Sequence, residues 1–141
     1  MNLSLSRPFA LIVLASLYAC GEGSLDSHGV VDQILPPITE ADGIEVRRPA
    51  SLQPFPEITE PSTIQELRQF VNAYRAGWTV PFAGPPVGQV YFDFYAEDRM
   101  VGNFYVGPHF FGRDHGGFFS RTATDDEIER LNSIVGFMVI E

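Results

Sequence analysis

The stretch VYFDFYAEDRMVGNFYV (residues 90–106) points most directly to the fold of this chain. In its first half, side chains alternate in character, which places Phe92 and Phe94 on one side of the backbone. This period of two is that of a β-strand with one buried face. After a polar turn at residues 96–99, the alternation resumes over residues 100–106. The stretch therefore predicts an antiparallel hairpin whose phenylalanine face packs into a core.

Helices are predicted on both sides of this hairpin. The first covers residues 62–76, where apolar residues recur at helical spacing and Ser62 begins a sequence typical of a capping box. The second is predicted to begin at Thr124, because Glu127 stands three residues later and completes the same motif. Gly136 is its expected end, since glycine readily adopts the left-handed conformation that closes a helix.

A third strand is predicted over residues 118–122, after a glycine-rich loop at residues 107–117. Helix, three antiparallel strands and helix make a small α+β domain over residues 62–141. Residues 43–47 also alternate, and the sheet has four strands if they pair with its edge.

The segment ahead of this domain has the composition of a tether. Fifteen of the 18 aromatic residues lie between Phe70 and Phe137, and Phe55 is the only aromatic residue of residues 20–61. That segment is also rich in proline and acidic residues, which favour an extended, solvated chain. We therefore expect a disordered tether over residues 20–61.

The first twenty residues have the pattern of a targeting segment. The apolar run at residues 9–15 follows a single Arg7 and is too short to span a bilayer as a helix, which needs about 20 residues. It leads to Leu17-Tyr18-Ala19-Cys20, with an aliphatic residue three positions before the cysteine and a small residue directly before it.

This ending resembles the lipobox of bacterial lipoproteins. The resemblance implies a signal peptide over residues 1–19 and a lipid anchor on Cys20, which becomes the mature amino terminus. It implies a cell-envelope location, and Gly21 in place of an aspartate favours the outer membrane, facing the periplasm. An ordinary secreted protein with a cysteine near its cleavage site is the alternative.

Composition excludes several function classes. The net charge of −9 makes nucleic acid an improbable partner, because phosphate binding requires clustered positive charge. The chain contains no lysine, which excludes a Schiff-base lysine and a phosphate-binding loop ending in Gly-Lys. Its single cysteine excludes an intrachain disulfide. We expect no cofactor.

The hairpin face opposite the phenylalanines is the predicted binding surface. Tyrosines offer a large contact area with a polar tip, and aspartate and asparagine add directional hydrogen bonds. Half-exposed sheet positions, or a tether folded over them, would explain the same pattern without binding. The predicted partner-binding residues are Tyr91, Asp93, Tyr95, Asn103 and Tyr105.

These features together predict a lipid-anchored envelope protein that binds another protein without catalysis, with an immunity or inhibitor role as the most concrete form. The alternative is an envelope enzyme or metal binder that uses His109, Asp114 and His115. A polar hairpin loop with glycines at its turns explains those residues better, so we predict no catalytic or metal-binding residues. A structural role in a larger complex is a third possibility. Trp78 is expected to close the end of the core or to anchor a partner.

Overall fold

The computed structural model describes residues 33–51, 55 and 57–140. Its elements, in chain order, are β1 (Gly43–Arg47), α1 (Pro61–Ala73), β2 (Val90–Ala96), β3 (Arg99–Gly107), β4 (Phe110–Asp114), β5 (Phe118–Thr122) and α2 (Asp125–Val135). The strands form one antiparallel sheet in the order β1-β2-β3-β4-β5. The described part is thus an α+β domain, but its sheet has five strands, and the prediction of three or four is wrong.

The predicted hairpin is confirmed as β2 and β3. Phe92 lies opposite Phe104 in the register, and both are buried. Phe70 of α1 contacts the rings of Phe104 and Phe111 edge-on, with centroids 6.1 and 5.7 Å apart. Both helices contribute to this core, and the buried residue of α2 is Leu131. The phenylalanine face is therefore the helix-covered face of the sheet.

The loop predicted at residues 107–117 contains a strand, β4 (Phe110–Asp114). Its alternation is hard to recognise because Gly112 and Arg113 occupy positions where a polar and an apolar side chain would be expected. Arg113 is 4% exposed on the helix-covered side, where its guanidinium donates to the carbonyl of Pro36 at 3.1 Å. Burial lowers the pKa of this guanidinium.

The domain also extends further towards the N-terminus than expected. Residues 43–47 form β1, which pairs with β2, and Leu35 and Ile38 are buried in the core. A Cβ at Gly102 would lie 2.8 Å from Ile38, so this glycine of β3 leaves room for the isoleucine. Residues 33–51, which the composition assigned to a disordered tether, therefore belong to the fold. The rest of the predicted tether towards Cys20 lies outside the described residues.

The two helices begin differently. Pro61 is the first residue of α1, one position before the prediction, and within the described chain its N-cap residue Glu60 makes no side-chain cap bond. The helix ends at Ala73, before the predicted residue 76. In α2 the capping box of Thr124 and Glu127 is confirmed.

Short segments occupy both edges of the sheet. Ile44 of β1 exchanges two backbone hydrogen bonds with Ile58, and Ser120 of β5 exchanges two with Thr79. Paired edges discourage the addition of a strand from another chain. Trp78 is fully buried and donates from Nε1 to the carbonyl of Tyr74 at 2.7 Å, so it closes the end of the core. No helix among the described residues is long and apolar enough to cross a membrane.

Candidate functional site

The face of the sheet opposite the helices, here called the open face, carries all five predicted partner-binding residues. Tyr91 lies directly across from Tyr105, and Asp93 from Asn103. Tyr95 lies on the same side, because its hydroxyl donates to Glu45 of β1 at 3.4 Å. The strand alternation therefore brings these residues together on one surface.

A row of stacked groups crosses the middle of the open face, and its two aromatic members, Tyr91 and Tyr105, are here called the tyrosine row. The guanidinium carbon of Arg47 lies 5.1 Å from the ring centroid of Tyr91, which stacks on Tyr105 at 5.2 Å. The Tyr105 ring then extends over Gly112 of β4, where a Cβ would lie 1.9 Å from it. The row depends on glycine at this position, since any larger residue would displace the ring.

Asp93 is not available to a partner as a freely exposed carboxylate. It is 3% exposed, and one of its oxygens accepts a hydrogen bond from Nε of Arg47 at 2.5 Å. This bond raises the pKa of Arg47. The other oxygen has no hydrogen-bond partner among the described residues. Asp93 therefore fixes Arg47 against the tyrosine row, a structural contribution that the sequence did not reveal.

Tyr105 is also buried, with 2% of its surface exposed. Part of its cover is the segment at residues 85–88, whose Gly88 N–H donates to the hydroxyl of Tyr91 at 3.0 Å. The Tyr105 hydroxyl has no hydrogen-bond partner in the part of the chain that the structure describes. Burial, with the charge of Asp114 nearby, raises the pKa of this phenol well above its ordinary range.

Asn103 holds the carboxylate of Asp114 in a fixed orientation. Its amide nitrogen donates to one carboxylate oxygen at 2.7 Å, and its amide oxygen accepts from the Asp114 backbone N–H at 2.8 Å. Two bonds in opposite directions restrict rotation of the Asp114 side chain. Asp114 thus adds an exposed, oriented negative charge to the open face.

At the end of the sheet next to the β2–β3 turn, acidic residues outnumber the two basic residues, Arg68 and Arg99. Two open cavities, of about 760 and 410 Å³, lie there and share three carboxylates. The backbone N–H of Glu97 in the turn donates to the carboxylate of Asp42 at 2.9 Å. The acidic residues that line one or both cavities are Glu40, Asp42, Glu45, Glu57, Glu97 and Asp98.

Exposed apolar side chains lie in the loop after Trp78 and on β5, and two of them, Val87 and Phe118, line a cavity with Tyr91 and Tyr105. Phe82 is completely exposed in the loop that follows Trp78, and Val87 is 78% exposed. Phe118 of β5 is half exposed on the open face. Exposed apolar groups at a polar surface are typical of binding sites when they cluster. The sequence pointed to Trp78 as the candidate anchor of this loop, whereas Phe82 is the aromatic side chain that it exposes.

The two loop histidines do not form a joint site. His109 precedes β4 and His115 follows it, so the strand separates them by roughly 20 Å. Asp114 lies next to His115, but its carboxylate is held by Asn103. Within the described residues, no group of three or more histidine, cysteine, aspartate or glutamate side chains is placed to hold a metal ion.

Sequence reasoning missed Arg47, Glu45 and Asp114 as parts of the surface. The first two were assigned to the tether and the third to a loop, although residues 43–47 carried a recognisable alternation.

Comparison with protein-family models, curated proteins and solved structures finds no match to this chain.

Proposed function

We propose that this chain is a lipid-anchored protein of the bacterial cell envelope whose domain binds another protein without catalysis. The observation that carries this proposal is the open face. It combines partly exposed tyrosines, an oriented carboxylate and protruding apolar side chains on a sheet whose opposite face is filled by helices. Aromatic residues with polar tips are enriched in protein interfaces.

Charge favours a basic partner. The acidic end of the sheet adjoins the open face through Glu45 and Tyr95, which line the smaller of the two acidic cavities. The whole chain carries a net charge of −9. Such a field speeds encounter with a positively charged protein and disfavours acidic ones. An immunity or inhibitor protein that neutralises a basic toxic enzyme is the most concrete form of this function.

The lipobox supports anchoring through Cys20 in the outer membrane, facing the periplasm. Two or more acyl chains bind a membrane stably, because each buried methylene contributes about 0.8 kcal/mol. We expect labelled palmitate to enter the wild-type chain and the chain to fractionate with membranes. Cys20→Ser should abolish both. If Cys20→Ser fractionates with membranes to the same extent as wild type, the lipid anchor is contradicted.

The binding function is tested by cross-linking the full-length protein in cells and purifying it with its partners. Glu45→Arg reverses an exposed charge on the open face, and Glu66→Arg makes the same change on the exposed side of α1. We expect a basic envelope protein to be recovered with wild type and Glu66→Arg, and severalfold less of it with Glu45→Arg. Equal recovery with both variants would remove the open face from the interface.

The tyrosines need a variant that spares the fold. Tyr105→Ala would open a cavity, because Tyr105 is buried, whereas Tyr95 is partly exposed. Tyr95→Ala should therefore weaken partner recovery while the thermal unfolding midpoint stays close to that of wild type. Unchanged recovery in this variant would exclude Tyr95 from recognition. Recovery of a large stable assembly, with no single basic partner, would instead favour a structural role.

A further inference from the structure

A small cavity lies between the segment at residues 85–88 and the tyrosine row. Two prolines and a valine of residues 85–87 form one wall, and its volume is about 190 Å³. The opposite wall consists of Tyr91, Tyr105, Asp114 and Phe118. The cavity therefore joins an aromatic and proline-lined interior to the oriented carboxylate.

The size of this cavity limits its occupant. Sites for small-molecule ligands usually measure about 300–1,000 Å³, and this cavity, at about 190 Å³, is smaller. A single side chain of a partner fits such a volume better than a cofactor or metabolite.

The chemistry of the walls selects the side chain. Asp114 supplies a negative charge that Asn103 holds in a fixed orientation. A positively charged occupant that donates hydrogen bonds to this carboxylate is therefore favoured. Aromatic faces attract cations, and proline and phenylalanine surfaces accommodate an alkyl stem.

We propose that this cavity receives an arginine side chain of the protein partner. The inference rests on the proposed binding function and specifies the chemistry of that same surface. A guanidinium group can donate to the Asp114 carboxylate while its plane lies against an aromatic ring of the cavity wall. Lysine offers a smaller, more strongly hydrated charge and cannot stack in this way. Among the described residues, no arginine lines the cavity.

Arg47, an arginine of this chain that could compete for the cavity, is held at the other end of the tyrosine row. Arg47 lies over Tyr91 and is fixed by its bond to the buried Asp93. Its position shows that the tyrosine row tolerates a guanidinium at one end, and the cavity repeats the same combination of aromatic ring and carboxylate at the other.

The test uses the full chain with Cys20→Ser and the blocked amino acid N-acetylarginine methylamide as a probe. Backbone amide signals in NMR spectra are followed during titration, and the citrulline and norleucine analogues serve as neutral and apolar controls. We expect saturable shifts at Gly88, Asp114 and Phe118 with the arginine probe and much smaller ones with both controls.

Three variants sharpen the result. Asp114→Asn keeps an acceptor for Asn103 but removes the charge, and should weaken probe binding about tenfold. Phe118→Ala removes an aromatic wall of the cavity and should weaken binding severalfold. Asp98→Asn removes the same charge at the β2–β3 turn and should leave probe binding unchanged.

Several outcomes would overturn the proposal. Equal shifts with the norleucine analogue would indicate an apolar occupant, and equal weakening by Asp98→Asn and Asp114→Asn would indicate diffuse charge attraction. Absence of shifts with the arginine probe would exclude the site. Partner recovery that depends on Glu45 while the probe does not bind would overturn the arginine site alone. Probe binding without any recovered partner would instead contradict the proposed function.

Discussion

Phe104 and Tyr105 are neighbours on β3 and reach the same degree of burial on opposite faces of the sheet. Phe104 is covered by a helix, because Phe70 of α1 contacts its ring. Among the described residues, no helix lies over Tyr105. It is buried by the ring of Tyr91 and the segment at residues 85–88, and its own ring lies over Gly112. Equal burial thus has different causes on the two faces, and different substitutions should disrupt each.

The largest expected effect is on the helix-covered face. Phe104→Ala removes a ring that packs against Phe70, Phe92 and Phe111, and should lower the free energy of unfolding by about 3–5 kcal/mol. Urea unfolding measures this loss. Phe118→Ala makes the same change at a half-exposed position of the open face and should cost about 1 kcal/mol or less. Similar losses in the two variants would contradict the comparison.

The next largest effect is expected from a substitution that disrupts the open face while leaving the core intact. Gly112→Ala places a Cβ where the Tyr105 ring lies, so the tyrosine must leave its stacked position. We expect a loss of about 1–3 kcal/mol in unfolding free energy and a changed near-ultraviolet circular dichroism signal.

Gly117→Ala is the matched control, because its Cβ would meet no atom of the described residues closer than 3.9 Å. It should leave both measurements close to those of wild type. An unchanged spectrum in Gly112→Ala would show that this glycine does not determine the position of the tyrosine row.

A smaller loss of unfolding free energy is expected from substitutions at the first residues of α1 and α2, the helices that cover the phenylalanine face. Thr124→Ala removes a side chain that accepts from the Glu127 backbone N–H and should cost about 1 kcal/mol. Ser62→Ala lies inside α1, where Ser62 is not the N-cap residue, and should change stability by only a few tenths of a kcal/mol. Equal losses measured by urea unfolding would show that both residues cap a helix.

Local sequence signals predicted the elements that local interactions specify. The alternation of residues 90–106 predicted β2 and β3, and Thr124 with Glu127 predicted the start of α2. The capping pattern at Ser62 was misleading, because Pro61 with its fixed backbone angle already suits the first helical position. A capping motif therefore indicates a nearby helix start but does not by itself identify the capping residue.

The elements that the sequence did not reveal depend on contacts between distant residues. In β4, Gly112 breaks the expected alternation because Tyr105 of another strand occupies the space above it. The burial of Asp93 requires Arg47, which is 46 positions away. The surface could thus be predicted as a set of residues on one face, whereas the exposure of each residue could not.

The smallest effect concerns pH and belongs to the open face. The pKa of Tyr105 is raised in the folded protein by burial and by Asp114, so folding favours the protonated phenol. Its stabilising contribution is fully present below the pKa of an unfolded tyrosine, about 10, and is lost as the pH rises above that value towards the raised folded pKa. Unfolding free energy should therefore fall above about pH 10.

Tyr105→Phe should reduce this alkaline loss more than Tyr95→Phe does, because Tyr105 is more deeply buried than Tyr95. The pKa of Tyr95 is also raised, by burial and by Glu45, so Tyr95→Phe should have the smaller effect. Urea unfolding at several pH values above neutrality measures the difference. If Tyr105→Phe keeps the full alkaline loss, the phenol does not occupy the buried position on which both the comparison and the arginine site depend.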